Sequence, residues 1–274
     1  MKSIRITGQN NSYEIEPLTL PIIHRVGIAD PSGYRRQAQG QAPRADFNPN
    51  RAEGLRTISL NDGAFKGLGG RPGAELTFVV SGNIRLTTAD SKTCELERGD
   101  ILFTDEAASN SVTLDSRNGG KLLQITVAAE WPGPNGELPP TDVADPPRGA
   151  EPNIKRIYRG KGDDDKAYYT EFPELFAAPA GQWSEGRAID GFRMLYWIKG
   201  EMDMHPCVVN QFSVTSAGQL EIEVSGTGEK QKFGAGEICL SIDTTGEGHA
   251  NRVHVAAFTT VFVIPQDQLW AFND

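Results

Sequence analysis

One spaced pattern of residues occurs twice in this chain of 274 residues. The second copy retains histidines and consists of Gly200, His205, Cys207, Gln211, Gly218, Gly236, Gly246 and His249. The matching positions of the first copy are Gly63, Gly69, Arg71, Glu75, Gly82, Gly99, Ala107 and Asn110. Residues two and six apart on a β-strand point to the same face, so the spacing predicts that His205, Cys207 and Gln211 project together. Gly218 is then expected to turn the chain into the next strand.

These spacings resemble the two motifs of the cupin superfamily, Gly-x(5)-His-x-His-x(3,4)-Glu-x(6)-Gly and Gly-x(5)-Pro-x-Gly-x(2)-His-x(3)-Asn. The first copy follows both spacings without any histidine, because Gly69 and Arg71 occupy the first two histidine positions. In the second copy the motif residues are His205, Cys207 and Gln211, and two extra residues precede His249. Together the copies span most of the chain.

The resemblance implies an all-β bicupin fold, with two tandem cupin-type β-sandwich barrels (double-stranded β-helix or jelly roll) and few short helices. Short strand signals at regular spacing indicate the same class from the residues themselves. Between residues 131 and 152 the chain holds seven prolines and little apolar periodicity, which is typical of an extended linker. We therefore expect an N-terminal barrel over residues 1–130, a linker over 131–152 and a C-terminal barrel over 153–274.

Composition restricts the class of partner. The net charge of −9 argues against nucleic acid and anionic membranes, which bind clustered Lys and Arg. No run of 18 apolar residues exists, so no transmembrane helix is predicted. The three cysteines are an odd number without a CxxC pair, which favours a reducing, cytoplasmic setting. The expected partner is a small-molecule substrate, and assembly as a homodimer stays open.

The second copy is the candidate site. Strand alternation predicts that His249 and Asn251 face the barrel cavity and that His254 points the opposite way. His205, Gln211 and His249 could hold one divalent transition metal, Fe, Mn, Ni or Zn, with Cys207 as a softer fourth ligand. The same groups could equally form a hydrogen-bonded core, and Gln211 lacks the charge that offsets a cation.

In the first copy almost no ligand set remains, so no metal is expected there. Arg71 and Glu75 share a strand face and are predicted to form an ion pair, which is either structural or binds a carboxylate or phenolate substrate. Trp197, together with Trp183 and Tyr196, could wall an aromatic substrate, although such aromatics are more often plain core.

The function expected from these residues is an enzyme of accessory metabolism acting on a small oxygenated metabolite. Cupins with depleted ligand sets, as the resemblance implies, include isomerases, cyclases and decarboxylases. In a lyase, isomerase or decarboxylase, His249 would be the general acid or base, and His205 and Gln211 would orient the substrate. Cys207, Asn251, Trp197, Arg71 and Glu75 are candidates for substrate binding. Two alternatives stay open: a metal-dependent dioxygenase, and a non-catalytic bicupin that binds or senses a metabolite.

Overall fold

The computed structural model describes residues 1–20, 24–26, 51–68, 72–128, 131, 138, 143, 151–160 and 163–265. Over these residues the chain is almost entirely β-structure, which confirms the predicted fold class. It divides into two compact units. Unit 1 comprises Met1–Pro21, Arg51–Thr141 and Glu174–Ala188; unit 2 comprises Ile22–Asn50, Asp142–Pro173 and Ile189–Asp274. In the described part of the chain, no helix has the length and apolar character needed to cross a membrane.

Each unit combines several short strands with two long strands of 14 and 15 residues. The strands are β1 (Ser3–Gln9), β2 (Ser12–Pro17), β3 (His24–Val26), β4 (Ala52–Leu60), β5 (Gly63–Lys66), β6 (Ala74–Thr87), β7 (Thr93–Glu97), β8 (Ile101–Thr104), β9 (Thr113–Val127), β10 (Ile154–Arg159), β11 (Ala167–Glu171), β12 (Gly191–Trp197), β13 (Gly200–His205), β14 (Gln211–Val224), β15 (Lys230–Gly234), β16 (Ile238–Ser241) and β17 (His249–Val263). Helix α1 spans Glu106–Ser111, and a 3-10 helix spans Pro173–Phe176.

The two units repeat one strand order. In unit 1 the order is β2-β1-β8-β6-β9-β4, with β5 also on β9 and β7 on β6. In unit 2 it is β11-β10-β16-β14-β17-β12-β3, with β13 on β17 and β15 on β14. The parallel pairing of β1 with β8 recurs between β10 and β16. The sequence repeat is therefore a structural repeat, with β3 as an addition in unit 2.

Strand alternation separates two layers of side chains in unit 2. Along β17, Phe262 packs against Phe192 and Phe212, with ring centroids 6.2 and 5.8 Å apart. Thr259 and Val261 point the other way, into the interior of the unit. Because β-branched and aromatic residues fit a pleated, buried surface, this stretch forms a central strand with both faces covered.

The glycines of the repeat allow long strands to approach closely. Gly82 has a φ of 90°, and a Cβ there would lie 2.5 Å from the carbonyl oxygen of Gly119. Gly218 has a φ of 70°, and its Cβ would fall on the carbonyl oxygen of Ala256. The predicted turn at Gly218 is wrong, since the residue lies inside β14, where the register with β17 shifts. A bulge in mid-strand needs the same positive φ as a turn.

The boundaries of the units differ from the predicted barrels. The segment Glu174–Ala188 follows β11 but belongs to unit 1, where Leu55 and Arg187 form a β-bridge. Trp131, at the start of the predicted linker, stacks on Phe103 at 5.9 Å and is buried in the same unit. Most of the predicted linker lies outside the described residues.

Candidate functional site

The interior of unit 2 contains a cavity of about 30 Å³. A buried water needs roughly 10–15 Å³ on the same measure, so the cavity has room for about two or three water-sized groups. Its lining combines aliphatic and aromatic side chains with imidazoles, an arginine and neutral polar groups. The lining residues are Arg193, Leu195, Trp197, His205, Gln211, Ser213, Leu220, Ile222, Ser241, His249, Asn251, Thr259 and Val261.

Three strands bring the predicted site residues together. His205 ends β13 and lies opposite His249, the first residue of β17. Gln211 begins β14, which pairs along the whole of β17. The predicted continuous strand through His205, Cys207 and Gln211 is wrong, because Pro206 and its neighbours leave the sheet between β13 and β14. His205 and Gln211 nevertheless face one cavity, since both strands are anchored on β17.

The hydrogen bond between His249 and Asp243 is the central contact of the site. His249 Nδ1 lies 2.7 Å from Asp243 Oδ2, and the two side chains are 3% and 0% exposed. Asp243 Oδ1 has no hydrogen-bond partner. The motif comparison missed Asp243 because it lies in the loop after β16, where the chain has two more residues than the cupin spacing. The signal available was a carboxylate six residues before the key histidine.

His205 forms the second imidazole of the site. Its ring centroid lies 4.9 Å from that of His249, and its Nδ1 donates to the carbonyl oxygen of Asp203 at 2.7 Å. That bond places the proton on Nδ1 and leaves the lone pair on Nε2. Burial, and then the neighbouring His249, lower the pKa of His205 from 6.5 to about 4. His205 is therefore a neutral imidazole at neutral pH.

Cys207 lies next to the candidate site but outside the cavity. Its side chain is buried and lies outside the cavity lining, in contrast to the predicted contact with substrate. Its backbone N–H donates to the Asp243 carbonyl at 3.0 Å, and Gln211 Nε2 donates to its Sγ at 3.4 Å. Burial raises the pKa of the Cys207 thiol well above its usual range, and Asp243 adds to the effect. The thiol stays protonated, which is unfavourable for a nucleophile.

Asn251 and Trp197 line the cavity, and their contact with a substrate stays a prediction. Trp197 is largely buried and donates from Nε1 to Thr259 Oγ1 at 2.7 Å. His254 lies on the opposite face of β17, where its Nε2 is 3.3 Å from Glu221 Oε2, so the predicted alternation is confirmed.

Arg193 is a further lining residue that the motifs did not indicate. It lies on β12, is 2% exposed, and shares its strand face with Leu195 and Trp197. The alternation of Arg193, Leu195 and Trp197 was the available signal. An arginine in a strand ordinarily indicates an exposed face, and here it points into the cavity instead.

The donor atoms near His249 fit a transition metal. One ligand atom each from Cys207, Asp243 and His249 lies within 4.8 Å of the others, and all three residues are buried. Thiolate, carboxylate and imidazole are donors that divalent first-row metals accept. The unbonded Asp243 Oδ1 would find a partner in such an ion and supplies the negative charge that Gln211 lacks. This set shares only His249 with the predicted set of His205, Gln211 and His249.

Unit 1 fills the corresponding space with an ion pair. Glu75 is fully buried, and its Oε1 lies 2.7 Å from Arg56 Nη2. Gln124 donates to the second oxygen of Glu75 at 3.0 Å, and the hydroxyl of Ser109 donates to the same oxygen. Glu75 therefore has Arg56 as its cationic partner, and the predicted pair of Glu75 with Arg71 stays a prediction. Arg71 lies outside the described residues.

Further contacts surround the guanidinium group of Arg56. The guanidinium carbon lies 4.4 Å from the ring centroid of Trp183, in the segment that follows β11. Nε donates to Gln124 at 2.7 Å, and Nη2 donates to the Leu68 carbonyl at 2.9 Å. Asn110, the counterpart of His249 in the motif comparison, lies on α1 and donates to the Glu106 carbonyl. In this interior, the space that corresponds to the cavity of unit 2 is occupied by Arg56, which is ion-paired and hydrogen-bonded within the unit.

Comparison with known proteins finds similarity among solved structures alone. No family model and no curated protein matches the chain. Among solved structures, it is similar to a cupin 2 conserved barrel domain protein from Leptotrichia buccalis, at 12% identity over 79% of this chain and 85% of that chain, with a TM-score of 0.38. It is also similar to an oxalate decarboxylase from Bacillus subtilis, at 16% identity over 77% of this chain and 69% of that chain, with a TM-score of 0.30.

Proposed function

We propose that the interior of unit 2 is an acid–base active site for a small oxygenated metabolite, of the lyase, isomerase or decarboxylase type. The observation that carries this proposal is the buried bond between His249 Nδ1 and Asp243 Oδ2 at 2.7 Å. A carboxylate bonded to one imidazole nitrogen fixes the tautomer and orients the other nitrogen towards a reacting group. His249 lines the cavity, and Asp243 lies outside the lining.

His249 acts as the general base and then as the general acid. With its Nδ1–H donated to Asp243, Nε2 carries the lone pair that accepts a proton from the substrate. The Asp243 carboxylate stabilises the positive charge that develops on the imidazole. The proton returns from Nε2 to the product, so a single residue can complete an isomerisation.

The surrounding polar groups bind and orient the substrate. His205 stays neutral because its pKa is lowered to about 4 by burial and by His249, so its Nε2 accepts a hydrogen bond from a substrate hydroxyl. Gln211 and Asn251 line the same cavity and offer amide donors and acceptors to a carbonyl or hydroxyl group. The aliphatic lining excludes water from the reacting atoms.

The test is proton exchange next to a carbonyl group. Pyruvate, dihydroxyacetone and glycolaldehyde would be incubated with the protein in D₂O, and the loss of the exchanging ¹H signals followed by NMR. We expect enzyme-dependent exchange in at least one compound. His249→Ala and Asp243→Asn should lower its rate by about 100-fold or more, since a positioned acid–base group contributes a factor of roughly 10²–10⁴.

The matched control is His254→Ala, which removes an imidazole from the outer face of the same strand. It should leave the exchange rate unchanged. Binding of a panel compound without any exchange would favour the non-catalytic, metabolite-binding alternative. Exchange that survives in His249→Ala would contradict the proposed role of His249.

A second candidate is a metal-dependent reaction in the same place, favoured by the buried group of Cys207, Asp243 and His249. A metal bound there would supply a Lewis acid or, with iron, the redox chemistry of a dioxygenase. Elemental analysis of purified protein should find at most one transition metal per chain, because the interior of unit 1 is occupied by Arg56. Gln211→Glu should raise the metal occupancy by adding a compensating charge, and a content near two equivalents per chain would contradict the assignment to unit 2.

A further inference from the structure

Three buried side chains with metal-binding donor atoms meet next to the cavity of unit 2. One ligand atom each from Cys207, Asp243 and His249 lies within 4.8 Å of the others. Cys207 and Asp243 lie outside the cavity lining, and His249 is part of it. The ring nitrogen of His249 that faces this group is Nδ1, which lies 2.7 Å from Asp243 Oδ2. His249 is therefore the residue that the group and the cavity wall share.

The donor set of this group suits a thiophilic divalent cation. A thiolate and a carboxylate carry two negative charges, which balance a dication in a low-dielectric interior. Thiolate, imidazole and carboxylate are the ordinary ligands of zinc. Asp243 Oδ1 is buried without a hydrogen-bond partner, so one carboxylate oxygen remains for an ion after Oδ2 has accepted from His249. The set predicted from motif spacing, His205, Gln211 and His249, supplies no such charge.

Binding of an ion to this group requires two protons to leave their present atoms. Burial raises the pKa of the Cys207 thiol well above its usual range, so the thiol keeps its proton until an ion displaces it. Nδ1 of His249 donates its proton to Asp243 and has no lone pair for a metal in that tautomer. A neutral imidazole that binds an ion through Nδ1 carries its proton on Nε2. Nε2 then has no lone pair with which to accept a proton from a substrate.

We infer that Zn²⁺ binds between Cys207, Asp243 and His249 Nδ1 and switches off the acid–base site by moving the imidazole proton to Nε2. This inference rests on the proposed role of His249 as a base, and it names a regulator of that site. The thiol releases its proton to solvent and the imidazole stays neutral, so one proton leaves the protein for each ion bound. Because two of the three ligands lie outside the cavity lining, the ion acts through the tautomer of His249 and leaves the cavity open.

The first measurement is metal binding to the full-length protein after treatment with a chelator. Zn²⁺ should bind saturably and release about one proton per ion, which a pH indicator in weakly buffered solution measures. Co²⁺ in its place should give a thiolate-to-cobalt charge-transfer absorption, which requires a sulfur ligand. Cys207→Ser should lose this absorption and weaken Zn²⁺ binding by about tenfold or more, since even groups that only support a ligand contribute roughly 10–100-fold.

Cys239→Ser is the matched control for the sulfur ligand. Cys239 is also a buried thiol of unit 2, but it lies outside the group of donor atoms. Its variant should keep both the cobalt absorption and the affinity for Zn²⁺. The chain has three cysteines, so the same absorption in the double variant Cys94→Ser/Cys239→Ser would assign the ligand to Cys207 even where Cys207→Ser does not fold.

The second measurement follows the ring of His249. In ¹⁵N-labelled protein, long-range ¹H–¹⁵N spectra distinguish protonated from unprotonated ring nitrogens, and saturating Zn²⁺ should move the Nε2 resonance of His249 from the unprotonated to the protonated position. The proton-exchange rate should fall by about tenfold or more relative to the metal-free rate of the same protein, since a positioned base contributes roughly 10²–10⁴-fold. His254→Ala should be inhibited like the unaltered protein.

The outcomes separate this inference from the acid–base proposal. Absence of Zn²⁺ binding, or equal affinity in Cys207→Ser and the unaltered protein, would overturn the inference even if exchange through His249 persists. Exchange that Zn²⁺ accelerates would also overturn it and would support the metal-dependent candidate instead. Absence of exchange in every compound would contradict the acid–base proposal, whereas a Zn²⁺-dependent shift of the Nε2 resonance would still support the metal site and its effect on the tautomer.

Discussion

The interiors of the two units are formed by the same strand order and differ in how buried charge is compensated. Unit 1 pairs Arg56 with Glu75 and fills the remaining space with Gln124, Ser109 and the ring of Trp183. Unit 2 has Arg193 and Gln211 at the register positions of Arg56 and Glu75, and adds the Asp243–His249 pair beside a cavity. The interior of unit 1 is filled by its ion-pair network, and the interior of unit 2 has polar side chains that line a cavity.

The difference concerns how a repeated fold compensates buried charge in each of its two copies. A buried charge is tolerated when a partner and hydrogen bonds compensate it, as they do around Glu75. Unit 1 is then expected to contribute stability, and unit 2 chemistry, to the same chain.

The largest effect is expected from breaking the ion pair of unit 1. Arg56→Met leaves Glu75 buried without its cation and should lower the free energy of unfolding by about 3–5 kcal/mol. The double variant Arg56→Met/Glu75→Gln should recover part of this loss, because the uncompensated charge is gone. Urea denaturation of the two variants measures both values. Equal losses would show that the pair does not balance a buried charge.

The second effect concerns the glycines of the repeat. Gly218→Ala should cost more than about 2 kcal/mol of stability, because both its positive φ and the Ala256 carbonyl oppose a Cβ. Gly82→Ala should cost somewhat less. Gly63→Ala is the matched control, since Gly63 has a φ of 114° but no atom within 4 Å of the added Cβ. If Gly63→Ala lost as much stability as Gly218→Ala, the positive φ alone would explain the loss, and the close approach of the Ala256 carbonyl would contribute nothing.

The sequence predicted the repeat, the all-β class and the opposite faces of His249 and His254. Those features depend on local spacing, because alternation along one strand decides which side chains share a face. Strand alternation also predicted that His205 and Gln211 face one cavity, and they do. They lie on two separate strands, β13 and β14, and not on the one continuous strand that the spacing predicted.

The features that spacing did not predict depend on residues far apart in the chain. Glu75 and Arg56 are 19 residues apart, and only the pairing of β4, β9 and β6 brings them together. Asp243 lies in a loop whose length departs from the motif. The return of residues 174–188 to unit 1 has no local signal, because it depends on the packing of the folded unit.

A smaller effect is expected from pH, through His205. Its pKa is lowered to about 4 in the folded chain from 6.5, so the unfolded chain binds more protons between these values. Stability should therefore fall as the pH is lowered from about 6.5 towards 4. His205→Gln should show a shallower dependence in chemical denaturation over that range. An identical dependence in both proteins would show that His205 is not held neutral by burial.

The smallest effect is expected from His254→Ala. Its side chain is exposed and bonded only to the outer face through Glu221, so stability should change by about 0.5 kcal/mol or less. Metal content and proton exchange should be unchanged. Loss of either would mean that the register of β17 is shifted by one residue, which would reverse the faces of every side chain in the strand.

Methyl NMR tests the assignment of function to unit 2 most directly. In protein labelled at the methyl groups of Ile, Leu and Val, the carbonyl compounds of the proton-exchange test would be titrated and shift changes assigned. We predict saturable changes at Leu195, Leu220, Ile222 and Val261 around the unit 2 cavity, and none at Ile58 and Leu122 of unit 1. Saturable changes centred on the unit 1 methyl groups, with those of unit 2 unmoved, would contradict the account.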